Sequence, residues 1–120
     1  MLAELLITRI ENAQDLVELL SKQALSETLW KKIGVTIKRF HDNNIYHHDL
    51  NAHNILIDNK ENVFLIDFDR GEIRKNNQAS WQQTNIARLL RSFEKEKNKL
   101  PTFHWQHDHW QLLLEGYQSH

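Results

Sequence analysis

His47-His48-Asp49-Leu50-Asn51-Ala52-His53-Asn54, followed by Leu65-Ile66-Asp67-Phe68-Asp69, decides how this chain reads. The first run has the form H-x-D-L-x-x-x-N, and the second carries D-F-D. Asp49 and Asn54 are five positions apart, and Asn54 and Asp67 are thirteen apart. Between them, Ile55-Leu56-Ile57 and Val63-Phe64-Leu65-Ile66 are two short β-prone runs, and Asp58-Asn59-Lys60-Glu61-Asn62 is a polar turn of the kind that joins such runs. The expected hairpin begins at Asn54 and ends at Asp67. A rigid pair of strands would therefore hold these two residues relative to each other, which preorganised catalysis requires.

The first motif has the shape of a kinase catalytic loop, and the second that of the metal-binding D-F-G motif with Asp69 in the glycine's place. Phosphoryl transfer needs the acceptor hydroxyl aligned with the γ-phosphate and the phosphate charge neutralised by Mg2+. Asp49 is the candidate catalytic residue, accepting or orienting the hydroxyl proton. Asn54 offers a neutral carbonyl oxygen to magnesium, and Asp67 the carboxylate that bridges metal to phosphate. Hard oxygen donors in small number suit Mg2+, which keeps several waters. Turn formation alone would account for Asp49 and Asn54, but not for Asp67 at its distance.

At 120 residues the chain is one domain or part of one. An apolar share of 40%, with four Trp and five Phe, suffices for a packed core. The formal net charge of −1 gives no sign of a nucleic-acid partner. With no cysteine there is no disulfide, thiolate metal site or thiol nucleophile. No run of apolar residues is long enough for a membrane-spanning helix. The first residues lack the basic region and apolar core of a secretory signal. No repeat, low-complexity tract or Pro/Gly/Ser linker is visible.

Outward from the motifs, Leu29, Ile33, Ile37 and Phe40 recur at near-helical spacing and predict an amphipathic helix over 27–42, with Gly34 allowing close packing. Leu2 to Ile10 is a β-prone run. Asn12 followed by Asp15 reads as a helix cap with an acid in the first turn, ahead of Leu16, Val17, Leu19 and Leu20. Arg70 to Ser80 reads as a polar loop. Ile86, Leu89, Leu90 and Phe93 mark another helix, broken at Leu100-Pro101, and Trp110, Leu113, Leu114 and Tyr117 a final one. Four tryptophans, Trp30, Trp81, Trp105 and Trp110, are expected in packing rather than as sugar platforms.

On this frame the chain resembles the C-terminal lobe of the protein-kinase-like fold. More closely it resembles the lipopolysaccharide kinases that act on 3-deoxy-D-manno-octulosonic acid (Kdo). The resemblance rests on Ile10-Glu11-Asn12-Ala13-Gln14-Asp15-Leu16, on His48 to Leu56, on Leu65 to Asp69 and on Arg91-Ser92-Phe93-Glu94-Lys95-Glu96. It covers nearly the whole chain, and the Asn51-Ala52-His53-Asn54 wording is more particular to this family than the general pattern is. It implies an α+β, mainly helical lobe with a short catalytic β-hairpin: a hinge strand at about 2–10, a catalytic loop at 47–54 and a metal-binding motif at 67–69. It implies ATP and Mg2+ as cofactors and a Kdo-lipid A type acceptor. The implied setting is the cytoplasmic face of the inner membrane of a Gram-negative bacterium, with peripheral membrane contact.

As nucleotide contacts the resemblance implies backbone groups of Thr8, Arg9, Ile10 and Glu11 towards adenine, Asp15 towards the ribose, and His53 towards phosphate or sugar. On helix-dipole grounds Asp15 reads more readily as a helix-start acid, and His53 equally as an exposed loop histidine. The chain departs from protein kinases at His48 and Asn51, which replace arginine and lysine, and no A-P-E follows Asp67. A small or lipid-linked acceptor therefore fits better than a peptide. No Gly-rich loop or strand lysine precedes the hinge, so the chain is expected to be a C-lobe fragment without its N-terminal lobe, prone to self-association or needing a partner chain. Two other readings stay open: an inactive kinase-like remnant or interaction module, and a small-molecule kinase of the aminoglycoside-phosphotransferase type. His104, His107 and His109 match no sharp zinc spacing. Arg88, Arg91, Lys95, Lys97 and Lys99, interrupted by Glu94 and Glu96, read as a solvated helix face.

Overall fold

The computed structural model describes residues 13–43, 45, 46, 50–66, 72, 73 and 79–119. The described part is mainly helical with small antiparallel sheets, an α+β arrangement as expected. The proposed hinge strand at about 2–10 lies outside it.

Strand β1 (Gln14–Asp15) leads directly into helix α1 (Leu16–Lys22). The cap of α1 is Asp15 rather than Asn12. Asp15 has extended torsions, and its Oδ1 accepts the Glu18 N–H at 2.9 Å, satisfying a donor that the helix itself cannot. Helix α2 (Glu27–Asp42) matches the expected span. Ser26 caps it by accepting the Leu29 N–H at 3.1 Å, and its buried stripe runs through Leu29, Trp30, Ile33, Gly34, Ile37, Phe40 and His41.

Strands β3 (Ile55–Ile57) and β4 (Val63–Leu65) form the expected hairpin, paired Ile55↔Leu65, Leu56↔Phe64 and Ile57↔Val63. Asp58 organises its turn, accepting the Lys60 and Asn62 N–H groups at 2.9 and 2.8 Å. Strand β1 adds to the other side of β3, with Gln14 opposite Ile57 and Asp15 opposite Leu56. Alternation sends Ile55, Ile57 and Leu65 into the core and leaves Leu56 and Phe64 half-buried on the opposite face. The stretch expected as a polar loop at 70–80 is not all loop. Strand β5 (Glu72–Ile73) pairs antiparallel with β2 (Ile45–Tyr46), and helix α3 begins at Ala79. A two-residue strand has no period for a sequence to display, so this pairing was invisible.

Helix α3 (Ala79–Lys99) stops before Leu100-Pro101, as the proline requires, and α4 (His107–Gln118) closes the chain. Phe93 is the centre of the aromatic core. Trp105 stacks on it at 5.4 Å, while Trp30 and Trp110 meet it edge-on at 5.8 and 6.1 Å. Each such buried ring contributes about 2–3 kcal/mol. Helices α2 and α4 make the most extensive helix contact, and they meet backbone to backbone. A Cβ on Gly34 would stand 1.9 Å from the Leu113 carbonyl oxygen, and one on Gly116 would stand 2.0 Å from that of Lys31. Only glycine permits this approach.

A polar network is buried beside that contact. His41 is 2% exposed; its Nδ1 meets the Tyr117 hydroxyl, and its Nε2 lies 3.4 Å from Asn85 Oδ1. An amide oxygen only accepts, so Nε2 carries the ring proton and the Tyr117 hydroxyl donates to Nδ1. Burial lowers the His41 pKa to about 4 and raises that of Tyr117 to about 12.

Two outcomes follow from this packing. Gly34→Ala should destabilise the chain by about 3 kcal/mol or more, since the clash is with backbone. Urea denaturation checks this, and an unchanged midpoint would refute the close approach. His41 is neutral when folded but protonates near pH 6.5 when unfolded. Stability should therefore be independent of this group above pH 6.5 and fall by about 3 kcal/mol as the pH drops from 6.5 to 4. Burial lowers the His109 pKa too and adds slope of the same sign. The measure is thus the difference between the chain and its His41→Gln variant across that window.

Candidate functional site

The functional turn is built by short-range polar contacts on a buried base. Leu50 and Ala52 are buried, and a 3-10 turn runs over Ala52–Asn54. Asn51 Oδ1 accepts the His53 N–H at 2.8 Å, and Asn54 Oδ1 accepts the Asn51 N–H at 3.3 Å. The two asparagines therefore cap the turn reciprocally. Asn54 is 7% exposed, and β3 starts directly after it. Its carbonyl accepts the Ile66 N–H at 2.9 Å, joining the beginning of the hairpin to its end. Ile66 is the residue before Asp67 in sequence.

Asp15 reaches this turn from the other side. While Oδ1 caps α1, Oδ2 lies 3.3 Å from His53 Nδ1. The second ring nitrogen, Nε2, lies 3.5 Å from Glu96 Oε2 on α3. The fold thus brings three candidate residues, Asp15, His53 and Asn54, to one place. Asp15 is a helix cap, and it also belongs to this cluster. Across the sheet, Asp15, Leu56 and Phe64 stand in one cross-strand row, so their side chains share the face turned away from the core. That face offers an apolar surface with a carboxylate at its edge.

The other candidates, Asp49, Asp67, Thr8, Arg9, Ile10 and Glu11, lie outside the described residues. The carboxamide oxygen of Asn54 is a hard donor with two acceptor directions, held at the base of a rigid hairpin. It fits a magnesium ion, which takes few protein ligands. Among the described residues, no group of three histidine or carboxylate side chains is placed to hold a metal. His109 instead stacks on Trp30 at 5.3 Å, and its Nδ1 accepts the Gln106 N–H at 3.0 Å.

Ser92 and Glu96 were missed as site residues. Ser92 Oγ accepts the Ala52 N–H at 3.0 Å, and Glu96 is 6% exposed beside His53. Their spacing, four apart on one helix face, was the available signal. The surrounding lysines concealed it by suggesting a solvated face.

Comparison with known proteins identifies a family. Residues 1–117 match the lipopolysaccharide kinase (Kdo/WaaP) family. The chain is 47% identical over 117 residues to a 3-deoxy-D-manno-octulosonic acid kinase of Vibrio vulnificus (strain YJ016), covering 98% of this chain and 48% of that protein. It is 43% identical over 116 residues to a protein of the same name from Photobacterium profundum, covering 97% and 48%. To that of Mannheimia succiniciproducens it is 45% identical over 120 residues, covering 98% and 49%. The chain spans about half the length of the curated relatives it matches. A match running through residue 117, together with these identities, means that the chain belongs to the lipopolysaccharide kinase (Kdo/WaaP) family.

Proposed function

We propose that this chain carries the catalytic and metal-binding part of an ATP-dependent phosphotransferase that phosphorylates a hydroxyl of a Kdo sugar in the lipopolysaccharide inner core. The observation that carries the reading is the family match over residues 1–117, and the 2.9 Å bond from the Ile66 N–H to the Asn54 carbonyl supports it. That bond ties the segment ending in the first motif to the segment that leads into the second.

The roles follow from the chemistry. Asp49 accepts or orients the proton of the acceptor hydroxyl. Asn54 and Asp67 hold Mg2+, which supplies charge neutralisation at the transferring phosphate when bound. The row of Asp15, Leu56 and Phe64 gives an apolar bed for the base and a carboxylate for the ribose, with backbone groups of Thr8 to Glu11 at the adenine edge. For His53, half exposed beside Asn54, a contact to phosphate or sugar would replace one of its two carboxylate partners. The acceptor is lipid-linked, and the working location is the cytoplasmic face of the inner membrane. Contact with that membrane is peripheral; no helix among the described residues is long and apolar enough to cross a membrane.

The test joins this chain to the half of the Vibrio vulnificus relative that it does not match, and follows transfer of radiolabelled phosphate from ATP to a Kdo-lipid acceptor. Asp49→Asn should slow turnover by about 10²–10⁴, the scale of a lost general base, with ATP affinity nearly unchanged. Asp67→Asn should remove most transfer, because a neutral amide is a poor magnesium ligand in place of a carboxylate. Near-normal turnover in Asp49→Asn would contradict the assigned role.

A further inference from the structure

Helix α3 holds two successive residues of the turn that ends at Asn54. Ser92 Oγ accepts the Ala52 N–H at 3.0 Å and donates to the Leu89 carbonyl at 2.7 Å. One helical turn later, Glu96 reaches the ring of His53 at 3.5 Å. Glu96 is only 6% exposed, on a helix face that also buries Leu89 and Phe93. A carboxylate is costly to bury unless it is paired, and the described group that pairs with it is His53. Glu94, two residues earlier, is far more exposed and points instead towards His107, 4.0 Å away. Burial at position 96 is therefore particular to the side of α3 that meets the turn.

The His53 ring lies between two carboxylates, Nδ1 3.3 Å from Asp15 Oδ2 and Nε2 3.5 Å from Glu96 Oε2, and donates to both in its imidazolium form. A ring held at both ends cannot rotate without losing one partner. Its backbone is the middle of a three-residue turn whose last residue is Asn54. The Asn54 carboxamide is capped by the Asn51 N–H at 3.3 Å, and the partners of the His53 ring restrain the turn backbone that carries it. Asp15 also stands in the row with Leu56 and Phe64, so the same ring connects the turn to the apolar face.

We propose that Glu96 is a positioning residue for phosphotransfer: by holding the His53 ring against Asp15, it orients the adjacent Asn54 carboxamide as a metal ligand. This rests on the reading of Asn54 as a magnesium ligand, and Glu96 itself touches neither metal nor nucleotide. Partners that orient a metal ligand change metal affinity by about 10–100-fold when removed.

The test uses the 120-residue chain with Mn2+ and ATP, reading paramagnetic broadening of the Asn54 side-chain amide by NMR as the complex is titrated. Glu96→Gln, which keeps the side chain's size, should weaken the apparent affinity at Asn54 about ten-fold. Glu96→Asp should recover part of that loss, and Glu94→Gln should leave the affinity unchanged. In a His53→Ala background, Glu96→Gln should cause no further loss, because the two residues act as one unit. Wild-type affinity in Glu96→Gln overturns the proposal, as does a full effect that persists without His53. Absence of broadening at Asn54 in the unsubstituted chain overturns the metal reading and this role together. Broadening at Asn54 that no Glu96 variant alters overturns the role of Glu96 alone.

Discussion

The bond from the Ile66 N–H to the Asn54 carbonyl closes the open end of a hairpin whose turn is Asp58 to Asn62, and the site depends on that closure. Register makes it unambiguous. Ile55, Ile57 and Leu65 face the core, and a slip of one residue in either strand would turn that strand's inward residues to the opposite face. The burial of three apolar side chains therefore determines where Asn54 sits and where the chain emerges towards Asp67. A metal ion held by few protein ligands, as proposed, would need each ligand to be in place before it arrives.

The hairpin in turn rests on helices that cannot easily shift. Helices α2 and α4 touch through backbone at Gly34 and Gly116, and the aromatic group around Phe93 fills the space between them and α3. Helix α3 then reaches across to the functional turn through Ser92 and Glu96. At the other side of the core, His41 links α2 to α3 and α4 as a neutral ring among Asn85, Tyr117 and Trp81. The two histidines divide the work by environment: His41 is sealed in the core and structural, whereas His53 is half exposed between carboxylates at the site.

Much of this was legible beforehand, and the misses share a cause. Helix α2 announced itself through four apolar residues at helical spacing, and the hairpin through two β-prone runs flanking a polar turn. Motif spacing pointed to Asn54. What sequence could not display were contacts between segments far apart. The pairing of Gln14–Asp15 with β3, that of Ile45–Tyr46 with Glu72–Ile73, and the reach of Glu96 to His53 each join short pieces with no period of their own. Glu96 also sat among lysines that argue for solvent, and only the fold reveals that its side of the helix is covered. His41 was unremarkable for the same reason, because a histidine near a helix end carries no mark of burial.

On the proposed function, the hairpin would hold Asn54 and Asp67 as ligands of a single metal ion facing Asp49. A crystal structure of the chain, joined to the half-length it lacks relative to its Vibrio vulnificus relative and grown with Mg2+ and a non-hydrolysable ATP analogue, tests this most directly. The account predicts Asn54 Oδ1 and an Asp67 carboxylate oxygen about 2.1 Å from magnesium, with the Asp49 carboxylate facing the same volume. Asp67 on the far side of the hairpin from Asn54, with magnesium held elsewhere, would contradict it.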